Sequence, residues 1–146
     1  MALAFLPLAG IAENLTGRVV NVHDGDTLTV LVDRTQVRVR LLEIDAPESK
    51  QAFGRKSKDS LAELCAGKTT QVESTGKDRY GRILGSVTCG SQNANAEQVR
   101  RGMAWVFDRY TKPNSPLYSL QDEARTAGRG LWADKNPVPP WEWRHK

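Results

Sequence analysis

Short runs of alternating hydrophobic and polar residues between Gly17 and Leu42 predict a meander of three β-strands. The third run shows the pattern best, because Val37, Val39 and Leu41 alternate with charged neighbours as in a half-buried strand. The predicted strands are Arg18–His23, Thr27–Val32 and Gln36–Ile44, and the tight turns between them are Asp24–Gly25 and Asp33–Thr35. A meander of this kind closes readily into a barrel.

Two further strands and three helices are predicted after the meander. They are a helix at Phe53–Cys65, strands at Thr69–Glu73 and Ile83–Thr88, and helices at Asn95–Gly102 and Leu117–Gly128. Together these elements predict one domain over residues 13–135, a β-barrel with helices and therefore α+β content. The tail at residues 136–146 contains too many prolines for a helix. It is predicted to be an extended strap, with Trp141 and Trp143 buried against the domain.

The end of the third strand brings acidic and basic side chains together. Arg40 lies in the strand, and Asp45 and Glu48 follow at a bend where Pro47 ends the run. Carboxylates can hold a hard cation, and a guanidinium group matches the geometry of a phosphate, so this combination indicates a metal-assisted phosphodiester site. The same residues also fit the start of a helix, with Asp45 as N-cap and Glu48 as its partner in a capping box.

Asp26 adds a second carboxylate to this end of the predicted sheet. The motif Asp24-Gly25-Asp26-Thr27 is by itself typical of a hairpin turn. In a meander, however, the start of the second strand and the end of the third lie at the same end, so Asp26 and Asp45 can face one cation. With the carbonyl oxygen of Ala46 and water, they would form a loose oxygen cage that suits calcium better than magnesium.

Composition limits the class of protein only broadly. The chain has 146 residues, of which 39% are hydrophobic, and this favours a single domain with one core. The sequence contains no internal repeat or low-complexity segment, which excludes a solenoid. A net charge of +4 suits a polyanionic partner without requiring one.

The start of the chain predicts export. Met1–Ala12 is apolar and uncharged, is too short to span a bilayer, and ends in Gly10-Ile11-Ala12. These features resemble a secretory signal cleaved after Ala12, which predicts a secreted or periplasmic protein, although no Lys or Arg precedes the apolar run. The alternative is a hydrophobic N-terminal segment packed on the domain.

The two cysteines are predicted to form a disulfide. Pairing of the last two strands around the turn at Lys77–Tyr80 places Cys89 opposite about Lys68, only a few residues from Cys65. Export would favour their oxidation, whereas two separate buried thiols are the alternative. The pair does not predict a zinc site, because the further Cys or His ligands that zinc requires are missing.

Three motifs occur in an order and spacing that resemble the thermonuclease family of staphylococcal-nuclease-like proteins. They are Asp24-Gly25-Asp26-Thr27, Arg40–Glu48 and Asp78-Arg79-Tyr80-Gly81-Arg82. The resemblance covers nearly all of Gly17–Trp132 and includes the segments Asn95–Ala104, Lys112–Asn114 and Gly128–Trp132. It implies a five-stranded Greek-key barrel of the OB-fold type with three α-helices. It also implies a calcium-dependent nuclease that hydrolyses the 5′ P–O bond of DNA and RNA and leaves 3′-phosphate products.

The resemblance implies a role for each motif residue. The implied catalytic residues are Arg40 and Arg82, on the scissile phosphate, and Glu48, as general base toward the attacking water. The implied calcium ligands are Asp26, Asp45 and Ala46, with Asp24 just outside the ligand set. The implied contacts to the nucleotide are Arg79, Tyr80 and Tyr110. The implied substrates are DNA and RNA in single-stranded or frayed regions, and no stable protein partner is implied. The sequence itself does not indicate an oligomeric state, and a monomer is the default expectation.

This sequence departs from the family pattern at two places. Ala46 stands where relatives often have Thr, which is compatible with a ligand that uses only its carbonyl oxygen. The connection Trp105–Tyr110 offers one Tyr where some relatives present two. His23 and His145 are given no role, because a lone His at a strand end or in a tail is most often structural or exposed.

Two other functions fit part of the same pattern. An OB-type module can bind single-stranded nucleic acid without cutting it, and relatives used in that way tend to lack the carboxylates and arginines that are present here. A glycosidase could use Asp45 and Glu48 as its carboxyl pair, but it would leave Arg40 and Arg82 without a task. The pattern therefore favours the nuclease.

Overall fold

The computed structural model describes residues 13–145, in which four strands precede the first helix and three more separate it from the second. The strands are β1 (Glu13–Asp24), β2 (Thr27–Val32), β3 (Thr35–Leu41), β4 (Ile44–Asp45), β5 (Thr69–Lys77), β6 (Ile83–Cys89), β7 (Gln92–Asn93) and β8 (Trp105–Val106). The α-helices are α1 (Gly54–Cys65), α2 (Ala94–Arg100), α3 (Leu117–Ala127) and α4 (Pro140–Trp143). The predicted signal at Met1–Ala12 lies outside the described residues. Among the described residues, none of the helices combines the length and apolar character needed to cross a membrane.

Five long strands close into a barrel. In the main sheet the order is β3-β2-β1-β5-β6-β7, with antiparallel neighbours. The barrel closes where β3 pairs in parallel with β6, with Arg40 opposite Leu84. This confirms the predicted five-stranded barrel of α+β content. The short strands β4 and β8 form a separate pair beside it.

The core fills the barrel and the space under α1. Alternating positions of the strands point inward as the sequence pattern predicts, and Val39 and Leu41 of β3 are fully buried. Leu61 and Leu64 bring the apolar face of α1 onto the same cluster. Cys65 at the end of α1 and Cys89 at the end of β6 are joined by a disulfide, so the helix is covalently attached to the barrel.

The third strand is shorter than predicted and a turn replaces its end. β3 stops at Leu41, and Glu43 adopts φ 67°, a conformation that is uncommon for a residue other than glycine. The carbonyl oxygen of Glu43 accepts hydrogen bonds from the amide of Phe107 (2.9 Å) and the hydroxyl of Thr111 (3.2 Å). These bonds stabilise the turn, after which the chain returns as β4. Asp45 therefore lies in a strand and is not an N-cap, so the capping-box interpretation is wrong.

The tail differs from the predicted strap in one respect. Pro140–Trp143 forms the short helix α4, which is preceded by Pro139 in an extended conformation. The prediction was wrong here because proline is tolerated in the first turn of a helix, where the missing N–H has no intrahelical partner. Trp141 and Trp143 are partly buried, in agreement with their predicted packing against the domain.

Gln98 of α2 connects three elements in the interior. Its side chain is fully buried. The Gln98 amide donates to the carbonyl oxygens of Gly25 (2.8 Å) and Ser57 (3.0 Å) and accepts from the hydroxyl of Ser60 (2.6 Å). Through these bonds Gln98 holds the β1–β2 turn against α1 and α2.

Replacing Gln98 by Ala is expected to lower the free energy of unfolding by about 2 kcal/mol, because buried polar groups lose their partners. The measurement is urea denaturation followed by far-UV circular dichroism. Gln71→Ala, at an exposed position of β5, is the matched control and should stay within about 0.5 kcal/mol of the unsubstituted protein. Equal stability of the two variants would contradict the structural role given to the Gln98 hydrogen bonds.

Candidate active site

The β1–β2 turn presents two aspartates at one mouth of the barrel. Asp24 ends β1, and its Oδ1 accepts a hydrogen bond from the amide of Asp26 (3.0 Å). Gly25 lies between them at a point of close approach, where a Cβ atom would collide with the side chain of Ser57 and lie 2.8 Å from the Cβ of Ala46. Only glycine therefore lets the turn lie this close to the β4 segment and α1.

Asp26 is fixed by hydrogen bonds from both sides. Its side chain accepts from the hydroxyl of Thr27 at Oδ1 (3.0 Å) and from the amide of Ala46 at Oδ2 (2.8 Å). The second bond joins the β1–β2 turn to the residue after Asp45, which places the two aspartates on either side of one space. Asp26 is 6% exposed and Asp45 is 1% exposed, so both carboxylates are largely withdrawn from water.

Arg40 stands between these two carboxylates. Its Nη2 lies 3.5 Å from Oδ2 of Asp26 and 3.4 Å from Oδ1 of Asp45. Its Nη1 donates to the carbonyl oxygens of Leu41 (2.6 Å) and Ile44 (2.8 Å), so the same side chain also holds the turn that leads to Asp45. Both Nη nitrogens of Arg40 therefore have partners, and the guanidinium group is fixed in place before any ligand arrives.

Burial and neighbouring charges shift the pKa values of Asp24, Asp26 and Asp45 in different directions. Burial raises the pKa of Asp24 to about 7, and the negative charge of Asp26 acts in the same direction. Burial also acts to raise the pKa of Asp26, but the Arg40 guanidinium and the hydrogen bonds outweigh it and hold that pKa below its usual value. Burial raises the pKa of Asp45 above its usual value, against the hydrogen bonds from Arg144.

A second arginine comes from the loop between β5 and β6. The Arg82 Nε donates to Oδ2 of Asp78 (2.7 Å), and the amides of Tyr80 and Arg82 donate to Oδ1 of the same carboxylate. Asp78 thus organises the loop, and these bonds lower its pKa, although partial burial opposes them. The guanidinium groups of Arg79 and Arg82 lie over the exposed ring of Tyr80, at 5.1 and 5.5 Å from its centroid.

One open cleft collects most of the predicted site residues. Its volume is about 1170 Å³. The predicted residues that line it are Asp24, Asp26, Arg40, Glu48, Arg79, Tyr80, Arg82 and Tyr110. Asp45 joins them through its contacts with Arg40, and Ala46 through its amide bond to Asp26. The disulfide of Cys65 and Cys89 is not part of the cleft lining. His23 lies elsewhere and shares a 2.7 Å hydrogen bond with Thr29.

One residue of the cleft is not predicted from the sequence. Arg144, just after α4, donates to both carboxylate oxygens of Asp45 (3.1 and 2.8 Å) and to Oε1 of Glu48 (2.6 Å). The only signal in the sequence was a basic residue directly after the two tail tryptophans, and the partners lie 96 and 99 residues earlier. His145 also lines the cleft, at an exposed position.

The donor set fits a hard cation. The four carboxyl groups of Asp24, Asp26, Asp45 and Glu48 lie around two guanidinium groups, those of Arg40 and Arg144. These six groups together carry an excess of two negative charges when all are ionised. Oxygen ligands without nitrogen or sulfur suit a divalent cation such as calcium or magnesium. Within residues 13–145, no three His, Cys, Asp or Glu side chains are arranged to hold a metal ion by themselves. Backbone carbonyls, water or substrate oxygens would have to complete the coordination.

The site combines the buried pair Asp26 and Asp45, the half-exposed Glu48, and the fixed arginines Arg40 and Arg82. This combination defines a site for phosphate ester chemistry. The comparisons agree. A family model described as "Staphylococcal nuclease homologue" matches residues 38–134. The chain belongs to this family, whose barrel is the OB type that the motifs implied.

Individual relatives share most of the chain. A protein of Escherichia coli named "Uncharacterized endonuclease" is 51% identical over 138 residues, which cover 93% of this chain and 89% of that protein. The "Micrococcal nuclease" of Shigella flexneri is 46% identical over 138 residues, covering 88% of this chain and 79% of that protein. "Staphylococcal-like nuclease CAN1" of Arabidopsis thaliana is 39% identical over 107 residues, covering 73% of this chain and 31% of that protein.

Proposed function

We propose that this nuclease hydrolyses DNA and RNA in a calcium-dependent reaction that breaks the 5′ P–O bond and leaves 3′-phosphate products. The observation that carries the proposal is the convergence of Asp26, Asp45, Arg40, Arg82 and Glu48 on one cleft. These residues come from three motifs that are separate along the chain, Asp24–Thr27, Arg40–Glu48 and Asp78–Arg82.

Asp26 and Asp45 would hold the calcium ion, with the carbonyl oxygen of Ala46 as a further ligand. Bound calcium would supply positive charge beside the scissile phosphate and favour ionisation of a nearby water. Asp24, whose Oδ1 accepts a hydrogen bond from the amide of Asp26, keeps the turn in place.

The arginines bind and stabilise the phosphate. Hydrolysis accumulates negative charge on the phosphate as the nucleophile attacks, and guanidinium groups that are already in place stabilise that charge where it develops. Arg40 is held by carbonyl oxygens and Arg82 by Asp78, so neither needs to be reorganised during the reaction. Exposed Tyr80, with Arg79 and Arg82 over its ring, and exposed Tyr110 line the cleft and would contact unstacked bases, which favours single-stranded or frayed substrates.

Glu48 is the general base in this proposal. Its side chain is 34% exposed, so water reaches it, whereas Asp45 beside it is buried. The Glu48 carboxylate would take a proton from the attacking water, and the oxygen of that water would form the new P–O bond as the 5′ oxygen leaves.

Replacing Glu48 by Gln is expected to lower the cleavage rate about 10²-fold, because the amide cannot accept the proton. The assay follows a fluorescent single-stranded DNA and an RNA of the same sequence, in calcium and in chelator. Glu73→Gln, at an exposed position of β5, is the matched control and should cleave as the unsubstituted protein does. Products that a polymerase extends only after phosphatase treatment would support 3′-phosphate ends.

Three results would contradict the proposal. Equal cleavage in calcium and in chelator would remove the cation from the reaction. Undiminished cleavage by Glu48→Gln would remove that residue as general base. Tight binding of DNA by the folded protein with no cleavage in calcium would favour the module that binds without cutting.

Export to the periplasm or the medium is part of the proposal. The apolar segment Met1–Ala12 supports it, and so does the disulfide, since disulfides persist mainly in oxidising compartments. The expected monomer likewise stays a prediction.

A further inference from the structure

The C-terminal tail is anchored beside the cleft by contacts that do not involve Arg144. The ring of Trp141 stacks on Phe107 with centroids 5.3 Å apart, and it meets Trp105 edge-on at 5.7 Å. The side-chain amide of Gln51 donates from Nε2 to the carbonyl oxygen of Val138 (2.7 Å). These contacts hold α4 on the domain and determine where the next residue lies.

Arg144 is thereby placed on the carboxylates of the active site. It binds both oxygens of Asp45, the two-pronged geometry that makes guanidinium–carboxylate pairs strong, and it also reaches Glu48. Asp45 is buried under this contact, while the Arg144 side chain remains 37% exposed. The arginine therefore lies on the open side of the site and covers Asp45 from solvent.

A divalent cation and Arg144 would compete for the carboxylate oxygens of Asp45. Calcium needs at least one Asp45 oxygen, and both are taken by guanidinium donors at 3.1 and 2.8 Å. Arg40 and Arg144 already place two positive groups on the buried Asp45 carboxylate, so a divalent cation bound there would be repelled by both. The same guanidinium group donates to Oε1 of Glu48, so this oxygen is occupied while Arg144 stays in place.

We infer that Arg144 is a further active-site residue that competes with the divalent cation for Asp45 and Glu48, so that the tail closes the catalytic centre until a cation displaces it. This inference rests on the proposed function, because it takes Asp45 as a cation ligand. Arg144 acts on the reaction through the cation site and is not itself assigned to the chemical step.

Competition has a measurable consequence for affinity. If only a fraction of the molecules has Arg144 displaced, the apparent dissociation constant for the cation is the intrinsic constant divided by that fraction. Removing the competitor should therefore tighten binding. We expect Arg144→Gln to bind calcium about tenfold more tightly than the unsubstituted protein, a change that corresponds to one open molecule in roughly ten.

The experiment is calorimetric titration of the purified, metal-free protein with calcium chloride, without nucleic acid. Arg109→Gln is the matched control, because Arg109 is exposed, lines the same cleft and carries the same charge, but lies over the ring of Tyr110. It should leave calcium affinity close to that of the unsubstituted protein. Arg144→Lys keeps the charge but loses the two-pronged geometry, so its affinity should be intermediate.

A second variant tests the anchoring. Trp141→Ala removes the stacking on Phe107, so Arg144 should leave the carboxylates more easily and calcium affinity should rise. In the double variant Trp141→Ala/Arg144→Gln the calcium affinity should equal that of Arg144→Gln alone, because Trp141 affects calcium binding only by positioning Arg144. Near-UV circular dichroism checks that each variant is folded.

The outcomes separate this inference from the proposed function. If the unsubstituted protein and Arg144→Gln bind calcium equally well, or if the variant binds more weakly, Arg144 does not compete and the inference is overturned while the calcium-dependent nuclease stands. If neither protein binds calcium, the calcium part of the proposed function fails and the inference fails with it. If Arg109→Gln binds calcium as tightly as Arg144→Gln does, the tighter binding results from the lower net charge alone, and the inference is also overturned.

Discussion

Replacement of Arg40 by Ala is expected to lower kcat for phosphodiester hydrolysis about 10³-fold, which is the upper range for loss of one preorganised group that stabilises transition-state charge. Arg40 is fixed by the carbonyl oxygens of Leu41 and Ile44 and is only 12% exposed, so its guanidinium group is already in place when the phosphate binds. The measurement is the initial rate of DNA cleavage at saturating substrate and calcium.

The variant should still bind calcium. Asp26 and Asp45 lose a positive neighbour when Arg40 is removed, and the cation site then carries more uncompensated negative charge. A calorimetric titration that shows retained or tighter calcium binding, together with the lost rate, would assign Arg40 to the phosphate and not to the cation site. Arg40→Lys should recover only part of the rate, because an ammonium group cannot form the two parallel hydrogen bonds that a guanidinium group makes to a phosphate.

Arg38→Ala serves as the control for this prediction. Arg38 lies two residues earlier in β3 and is exposed, so its removal changes the net charge and the strand in the same way without reaching the site. Its rate should match that of the unsubstituted protein. If Arg40→Ala cleaved as fast as Arg38→Ala, Arg40 would be a structural residue of the turn and not a catalytic one.

The strands and the acidic pair could be predicted because their signals are local. Alternation in β3 reports which side chains face the core, and the buried Val39 and Leu41 follow that pattern. The meander fixes which strand ends share a mouth of the barrel, and this is enough to bring Asp26 near Asp45. The roles of these residues came from the motifs taken together, because each motif alone is also an ordinary turn.

The turn at Glu43 could not be predicted from the pattern. The run up to Ile44 is apolar enough to continue as a strand, and a positive φ at a glutamate has no signal in composition. The turn is stabilised by bonds from Phe107 and Thr111, which are distant in sequence. Tertiary contacts therefore decided where the strand ended.

Arg144 was missed for a related reason. The tail sequence predicts attachment to the domain but not the direction of its last side chains, and its prolines predict an extended segment where the structure has α4. Its contact with Asp45 spans 99 residues and depends on how Trp141 docks between Phe107 and Trp105. Single-sequence patterns report neighbours along an element, and a contact of this range lies beyond them.

Removal of the disulfide is expected to lower the free energy of unfolding by about 3.5 kcal/mol, the chain-entropy value for a loop of this size. Cys65 and Cys89 are separated by 24 residues, and the segment between them contains all of β5 and most of β6. Without the bond, the unfolded chain gains the freedom that this loop had lost, while both positions remain fully buried in the folded protein. The variant to measure is Cys65→Ala/Cys89→Ala, in which no unpaired thiol remains.

Urea denaturation of the variant and of the oxidised protein gives the difference directly. The denaturant dependence of the variant should also be steeper, since an unfolded chain without a cross-link exposes more surface. Dithiothreitol supplies the internal control, because it should lower the stability of the unsubstituted protein toward that of the variant and leave the variant unchanged. A difference below about 1 kcal/mol between the oxidised protein and the variant would mean that strain or residual structure cancels the entropic gain, and that packing of α1 through Leu61 and Leu64 is sufficient to hold it on the barrel.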